Sequence, residues 1–541
     1  MKKVWIIAGM LFWISAVSAQ QIADSVYWVY FTDKLENGYQ IDQPNDFLSE
    51  RSINRRAWQG LGIDHRDLPV TAAYVEELKA MGVEIKHISK WLNGIAMTGA
   101  GQQLFDQVLA KPFTDTIPWE PATDDLHFLP PPIGNRFDPP LAQPPGYTYG
   151  VATEQVTMMN VDYLHDLGYT GKGVWIAVLD AGFTNVDSLP SFESMIQEGR
   201  LMGTRNFVND TDVFRMHSHG MHVLSTMGGE WDGNMVGTAP HATYFLCATE
   251  NGDQETRIEE IAWIEGAEYM DSLGFDVFNT SLGYSDFDGE EYDYTYRDMD
   301  GKTTFISRAA SLTASRGIIL CNSAGNEGSS SWYYLTAPAD AFDILSVGAV
   351  DSTNVIANFS SRGPSFDARV KPEVVAMGRA SGVQGLHGGL ARSNGTSFSS
   401  PILAGSVASL WQAYPALSAK ELIRWVRLNG DRSKNPDSTY GFGLPDFGKI
   451  YWNITDVPTR LVPGQMEVYP NPAVDHLMIK LPEATSGLYT VQFHDMSGRM
   501  IHSEQVTIPG EVVLSDRMKD GLYILEIKTV SGIYHTRIIK K

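Results

Sequence analysis

The chain has 541 residues, with 43% apolar, 19% charged and 11% aromatic side chains. At roughly 150 residues per domain this is three or four units, and the composition excludes a mostly disordered chain, a coiled coil and a collagen-like repeat. Lys+Arg 41 against Asp+Glu 64 leaves a formal net charge of −23, which argues against nucleic acid as a partner, since phosphate binding needs cations, and against docking on anionic membranes.

Residues 1–19 have the pattern of a secretory signal. Lys2 and Lys3 precede the apolar run Val4 to Ile14, and Val17-Ser18-Ala19 offers small residues for cleavage before Gln20. The run is too short to span a bilayer, so export is expected. Residues 21 to about 128 mix strand and helix signals. Val26 to Phe31 is β-branched or aromatic throughout and predicts a strand. Thr71 to Met81 has helical spacing, with Tyr74, Leu78 and Met81 on one face. A Pro-rich stretch follows, Pro130-Pro131-Pro132 through Pro139-Pro140 to Pro144-Pro145. It is expected to be extended, exposed and open to proteolysis.

Residues 141–455 alternate short apolar runs with helical segments. Examples are Val174–Leu179, Thr243–Cys247, Val277–Leu282, Ile318–Cys321 and Ile344–Val347. Near-continuous apolar strands between helices predict an α/β fold, a parallel sheet with helices on both faces. The only two cysteines, Cys247 and Cys321, sit in two of these runs, with one predicted strand between them in sequence. If the three are neighbours, the Cys strands stand about 9.6 Å apart, beyond disulfide reach, so two buried free thiols are expected. Beyond a linker (453–464), residues 466–541 carry about seven short strands with alternating patterns such as Tyr489, Val491 and Phe493. These predict a C-terminal β-sandwich.

Three segments of the middle region carry chemistry. Val178-Leu179-Asp180-Ala181-Gly182 puts a carboxylate at the C-terminal end of a buried strand, where functional groups of open α/β sheets collect. His217-Ser218-His219-Gly220-Met221-His222-Val223 opens a helix. Asn394-Gly395-Thr396-Ser397-Phe398-Ser399-Ser400-Pro401 enters another, with Pro401 read as part of its first turn. A hydroxyl is a weak nucleophile at neutral pH. It needs a base, and the base needs an orienting group. Ser397, His219 and Asp180 can fill these roles, in the chain order Asp, His, Ser.

On these motifs the chain resembles the subtilases, the subtilisin-like serine endopeptidases, over about residues 150 to 450. The Ser motif G-T-S-x-x-S-P is present as Gly395 to Pro401. The His motif H-G-T-H-V is present as His219 to Val223, with Met221 in place of Thr. D-T-G is similar to Asp180-Ala181-Gly182, and Gly237-Thr238-Ala239-Pro240 and Phe359 to Pro364 add support. The resemblance implies a subtilisin-like fold and an Asp-His-Ser triad working through an acyl-enzyme. Through Ser323-Ala324-Gly325-Asn326-Glu327-Gly328 it implies Asn326 as an oxyanion donor and Gly325 as a substrate contact. Through Asn279-Thr280-Ser281-Leu282-Gly283 it implies a strand edge, Ser281, Leu282 and Gly283, that pairs with an extended peptide. It implies protein or peptide substrates and no required cofactor; a structural calcium stays open.

The flanks follow from the same comparison. Residues 20–140 fit a pro-segment acting as intramolecular inhibitor, with autocleavage between about 130 and 150. The C-terminal region resembles the sorting domain of the type IX secretion machinery in Tyr469-Pro470-Asn471-Pro472-Ala473, Gly521 to Leu525, and the basic end Ile538-Ile539-Lys540-Lys541. That implies release from, or attachment to, the cell surface of a Gram-negative bacterium. The competing readings are a non-catalytic binding protein on the same fold and an esterase or ligase using the same residues. His217 and His222 are read as packing or hydrogen-bonding residues rather than zinc ligands. The acidic tract Asp286 to Asp300 is read as a solvated loop, without the spacing of an EF-hand. Trp332, Tyr333 and Tyr334 either line a specificity pocket or cover the core.

Overall fold

The computed structural model describes all residues except 1–19, 24–25, 99–100, 122–125, 253, 457–466, 482–486, 495–499, 509, 515–517 and 530–531. The expected signal segment lies outside the described residues, as does the linker from residue 457 on. The chain forms two compact units, divided at Gly448 and Lys449.

In the N-terminal region the strand Val26–Phe31 forms where it was expected. Its all-apolar sequence has a physical reason: both faces are buried. Trp28 and Tyr30 point into a core shared with the helices of the following domain. Val29 and Phe31 point the other way, into the segment's own core with Val75, Leu78, Phe105 and Val108. The strand is central in an antiparallel sheet. Gly94–Thr98 lies on one side, and Gln20–Ala23 and Thr114–Asp115 share the other. Helix Ala72–Ala80 matches the periodicity over 71–81.

The following domain is built on seven parallel strands: β1 (Trp175–Asp180), β2 (Leu201–Asn206), β3 (Thr243–Ala248), β4 (Val277–Thr280), β5 (Ile319–Ser323), β6 (Leu345–Val350) and β7 (Val374–Met377). Their spatial order is β7-β6-β5-β4-β1-β3-β2. Four helices position the functional residues: α1 (His219–Gly228), α2 (Arg257–Leu273), α3 (Phe305–Ser315) and α4 (Thr396–Ala413). Both faces are covered along β1 and β3 to β7, which is why these strands read as largely apolar runs; the edge strand β2, Leu-Met-Gly-Thr-Arg-Asn, is half-buried to exposed. Phe278 joins the core under α2 and α3. Its neighbour Asn279 faces the other way and accepts a hydrogen bond from Ser400 of α4 at 2.9 Å. From β1 the chain goes out to the edge strand β2 and back to β3, then crosses β1 to run through β4 to β7 on the other side, so a crevice opens at the carboxyl ends of β1 and β4, the place where ligands of such sheets bind.

The cysteine geometry differs from expectation in one respect. Cys247 on β3 and Cys321 on β5 are separated by two strands, β1 and β4, not one. The reversal of strand order inserts β1 between β3 and β4. Three strand spacings put the two thiols about 14 Å apart. Both are buried and free, and burial pushes both thiols well above their ordinary pKa.

The Pro-rich stretch also departs from expectation. Pro130, Pro131 and Ile133 to Asn135 are exposed, but Arg136 and Phe137 are buried, with the Arg136 guanidinium 4.2 Å over the Trp411 ring. Backbone carbonyls of Asp138 and Pro139 accept from Gln412. A cation on an indole face and an apolar ring beside it outweigh the proline signal locally.

In the C-terminal unit, seven strands are found among the described residues. They form a three-stranded and a four-stranded antiparallel sheet. Leu477, Ile479 and Val512 of one sheet and Val491, Phe493, Leu525 and Ile527 of the other share one core, which is the expected sandwich.

Candidate active site

Asp180 ends β1 and is 1% exposed. Its Oδ1 accepts from the Ala181 backbone N–H at 2.8 Å and from His219 Nδ1 at 2.7 Å. His219 is the first residue of α1. The two segments meet closely because glycines line their approach. Gly182 has φ 147°, and a Cβ there would stand 2.6 Å from the His217 nitrogen; a Cβ on Gly220 would stand 2.5 Å from the Gly182 carbonyl oxygen. The His219 side chain keeps 28% of its surface open. Burial lowers its pKa, and the Asp180 charge and hydrogen bond raise it by more, so the net shift is upward.

Ser397 lies in the first turn of α4 and is 7% exposed. Its Oγ donates to the Ser281 carbonyl at 3.3 Å. The ring of the next residue, Phe398, stands 6.1 Å from the His219 ring. The structure therefore brings Asp180 and His219 into direct contact, with Ser397 across the same crevice. Its backbone N–H belongs to the orphan donors of a helix N-terminus.

Pro401 is not in the first turn, as its sequence context suggested, but inside α4. There it lacks the N–H that would bond the Ser397 carbonyl four residues back. The Ser281 hydroxyl donates to that carbonyl instead, at 2.9 Å. Asn279 Nδ2 donates to Ser281 Oγ at 3.0 Å, and Ser400 Oγ donates to Asn279 Oδ1 at 2.9 Å. A buried polar chain thus joins β4 to the start of α4. Sequence reading placed Ser281 at the substrate and gave Ser400 and Asn279 no role. The trace that could have found this chain is a helical proline four residues after a serine.

Asn326 is exposed. Its Oδ1 accepts from Thr396 N at 2.9 Å and from Thr396 Oγ1 at 3.1 Å. Two donors on the carbonyl oxygen leave the amide Nδ2 directed away from Thr396. Thr396 also accepts from Gly325 N at 3.2 Å, so one hydroxyl ties this loop to the serine's own turn. Ser281 and Leu282 are buried and Gly283 is half-buried. The Leu282 carbonyl accepts from Ser323 Oγ at 3.2 Å. Tyr284, next along, exchanges backbone hydrogen bonds with Ala337 at 2.8 and 3.0 Å.

Glu250 lies near Asp180 and accepts from the Tyr284 hydroxyl at 3.1 Å. Burial, and then the Asp180 charge, push its carboxyl well above the usual range. His217 Nδ1 accepts from the His219 N–H at 3.2 Å. In the acidic tract, Asp298 and Asp300 accept from backbone N–H groups of their own turns, and Asp293 accepts from the Phe287 N–H six residues upstream. No three His, Cys, Asp or Glu side chains converge as a metal site among the described residues. Trp332 packs against the core and Tyr334 stacks on Tyr296 at 3.8 Å, while Tyr333 is exposed.

Residues 171–443, half of the chain, match the subtilase family. Residues 26–127 match the peptidase S8 propeptide domain of Bacteroidota, and residues 467–541 match the secretion system C-terminal sorting domain. The chain is 29% identical over 308 residues to the serine protease AprX of Bacillus subtilis, covering 51% of this chain and 65% of that one. It is 29% identical over 284 residues to subtilisin BL of Lederbergia lenta, covering 52% and 91%. The match spans 24% of the subtilisin-like protease SBT6.1 of Arabidopsis thaliana and 22% of mouse membrane-bound transcription factor site-1 protease. Among solved structures, MycP1 with its propeptide removed aligns at TM-score 0.44 and 19% identity, covering 57% of this chain and 98% of that one. On the extent of the family match, over a stretch that holds all of the motifs, the chain belongs to the subtilase family.

Proposed function

We propose that the chain is a secreted serine endopeptidase that hydrolyses peptide bonds through Asp180, His219 and Ser397. The observation that carries this reading is the 2.7 Å pairing of a buried carboxylate with His219 Nδ1, across one crevice from a serine in the first turn of a helix. Asp180 fixes the tautomer, so Nε2 is the free lone pair. The Ser397 side chain turns from the Ser281 carbonyl to His219, which takes its proton as Oγ attacks the scissile carbonyl carbon. The oxyanion is held by the Ser397 N–H and by Asn326 Nδ2, which Thr396 has already aimed. The tetrahedral species collapses, the C–N bond breaks, and the amine leaves with the proton from His219. Water, activated by the same imidazole, then hydrolyses the acyl-enzyme.

The substrate is a protein or peptide, held extended along Ser281–Gly283 and Gly325. The pro-segment acts as an intramolecular partner, and the C-terminal sandwich is read by type IX secretion machinery, placing the enzyme outside a Gram-negative cell. The acidic tract is a solvated loop whose carboxylates cap turns, and no cofactor takes part in the chemistry. The test is labelling by an organophosphonate alongside casein hydrolysis. Labelling that maps to Ser397 and is lost in Ser397→Ala, together with activity, is the expected result. Casein hydrolysis that survives Ser397→Ala overturns the proposal.

A further inference from the structure

The ladder between β4 and β5 ends at Thr280 and Asn322. Beyond it, residues 335–337 hydrogen-bond to both chains. Tyr284, past the end of β4, exchanges backbone hydrogen bonds with Ala337 at 2.8 and 3.0 Å. Thr336 N donates to the carbonyl of Ala324, past the end of β5, at 3.3 Å. Leu335 N donates to the Arg362 carbonyl at 2.9 Å. Three consecutive residues are thus pinned by their backbones, and the Thr336 side chain stands in the slot between Gly283 and Gly325. A Cβ on Gly283 would overlap Thr336 Oγ1, and a Cβ on Gly325 would stand 2.8 Å from that oxygen and 3.3 Å from Thr336 Cγ2.

Thr336 is 3% exposed, and its hydroxyl has no hydrogen-bond partner among the described residues. Buried hydroxyls ordinarily have one. The hydroxyl therefore takes no part in holding the loop, which the backbone bonds secure. A β-branched side chain also has few rotamers, so Thr336 does not swing aside to admit a larger group. The slot lies beside the chemistry. Gly325 N donates to Thr396 Oγ1 at 3.2 Å, and the same hydroxyl bonds Asn326 Oδ1. On the other wall, the Ser281 carbonyl accepts from Ser397 Oγ at 3.3 Å, two residues before Gly283. Successive side chains of an extended peptide point to opposite sides. With the scissile oxygen at Asn326 and the Ser397 N–H, the side chain of the residue that carries that carbonyl enters the slot.

We infer that Thr336 closes this slot to large side chains, so that the enzyme cuts after glycine, alanine or serine and not after leucine, phenylalanine or tyrosine. Its Cγ2 and Oγ1 occupy the depth that a branched or aromatic group would need, and both walls are glycines already in contact with them. The hydrolysis itself is the step described above, with the small residue's carbonyl as acyl donor. This inference rests on the endopeptidase reading and names the substrate class for that same site.

The test uses enzyme obtained by expressing the full chain, with a matched set of peptide anilides that differ only in the residue before the scissile bond. Wild type is expected to show kcat/KM at least about tenfold higher for alanine and serine than for leucine and phenylalanine. Thr336→Gly, and Thr336→Ala to a lesser degree, should raise kcat/KM for phenylalanine, by about tenfold or more in the glycine variant. Because the hydroxyl bonds nothing, both variants should keep the circular dichroism and the organophosphonate labelling of wild type. Cleavage sites mapped in denatured casein give the same readout on wild type alone, so the inference stays testable if the glycine variant does not fold. Wild type that cuts as well after phenylalanine as after alanine overturns it. So does a Thr336→Gly enzyme that labels normally and gains nothing on phenylalanine. Wild type that hydrolyses neither casein nor any anilide, or activity that survives Ser397→Ala, overturns the endopeptidase reading itself, and the two failures are thereby distinguished.

Discussion

Asn326 shows how one side chain is aimed by another. Both hydrogen bonds on its Oδ1 come from Thr396, so the amide cannot flip without losing them. Asn326→Ala is expected to lower kcat about 10²–10³-fold with KM little changed, the size found in subtilisin for loss of an oxyanion donor; steady-state kinetics on a peptide substrate check this. In the proposed mechanism His219 sets the pH dependence. Its pKa is lowered by burial but raised more by Asp180, and the base must be neutral. Activity should therefore fall as pH drops through a value above the ordinary ~6.5 of histidine. Asp180→Asn removes the raising charge, so the acid limb should move down while kcat drops about 10⁴-fold. The stability sign is opposite to that of activity. A raised folded-state pKa contributes stability that is fully present below the unfolded value and lost as pH rises through the folded value. The His219–Asp180 pair therefore stabilises most where the enzyme works least. A pH series of denaturation midpoints for wild type and Asp180→Asn reads this difference.

At the scale of elements, α4 and β4 are joined by a polar chain that an inner proline makes necessary. Pro401 leaves the Ser397 carbonyl without its helical donor, and Ser281 supplies one. Ser281→Ala strands that carbonyl in a buried site. A cost of about 1–3 kcal/mol is expected, read by urea unfolding of the mature enzyme, with kcat reduced because the serine's turn shifts. Strands and helices were largely legible from sequence, since continuous apolar runs and 3.6-residue spacing are local signals. Strand order was not. The place of β1 between β3 and β4 depends on packing between distant segments, and the cysteine spacing followed it. The position of Pro401 was misread for a related reason: a proline is tolerated inside a helix when tertiary contacts re-satisfy the freed carbonyl.

At the scale of the molecule, a buried ionic cluster holds pro-segment and peptidase domain together. Arg55 and Arg56 meet Asp271 on α2, Arg56 also meets Asp67 at 2.9 Å, and all four are buried. The arginines hold the Asp271 carboxyl well below the usual range against the opposing effect of burial. Asp271 therefore keeps its charge, and its pairs with the two arginines, as pH falls through the range of ordinary carboxylates. Asp276 bridges the N-terminal region and the start of the peptidase domain, with one oxygen on Arg51 at 2.6 Å and the other on Arg136 at 3.1 Å. Arg136→Ala should destabilise the mature enzyme by about 3–5 kcal/mol, by leaving a buried charge unpaired. The effect on the precursor should be smaller, since Arg51 remains there; thermal or urea unfolding of both forms tests the difference. The C-terminal sandwich, with its own core, is a separate compact unit. Deleting 467–541 should leave peptidase activity intact and retain the protein in the periplasm, read by cell fractionation.

The sequence by itself determined which residue types stand at the crevice, because each motif is a short run whose spacing reflects one strand end or one helix start. It also determined the layered α/β architecture, through periodicity. Only the tertiary structure decided what those residues touch. Thr396 aiming Asn326 spans 70 positions, and Ser281 supporting Ser397 spans 116. The anchoring of Arg136 beneath a sheet edge, away from Ser397, is likewise a contact between segments 140 positions apart. Local sequence carries no signal for such pairs, since they arise from how whole layers close on one another.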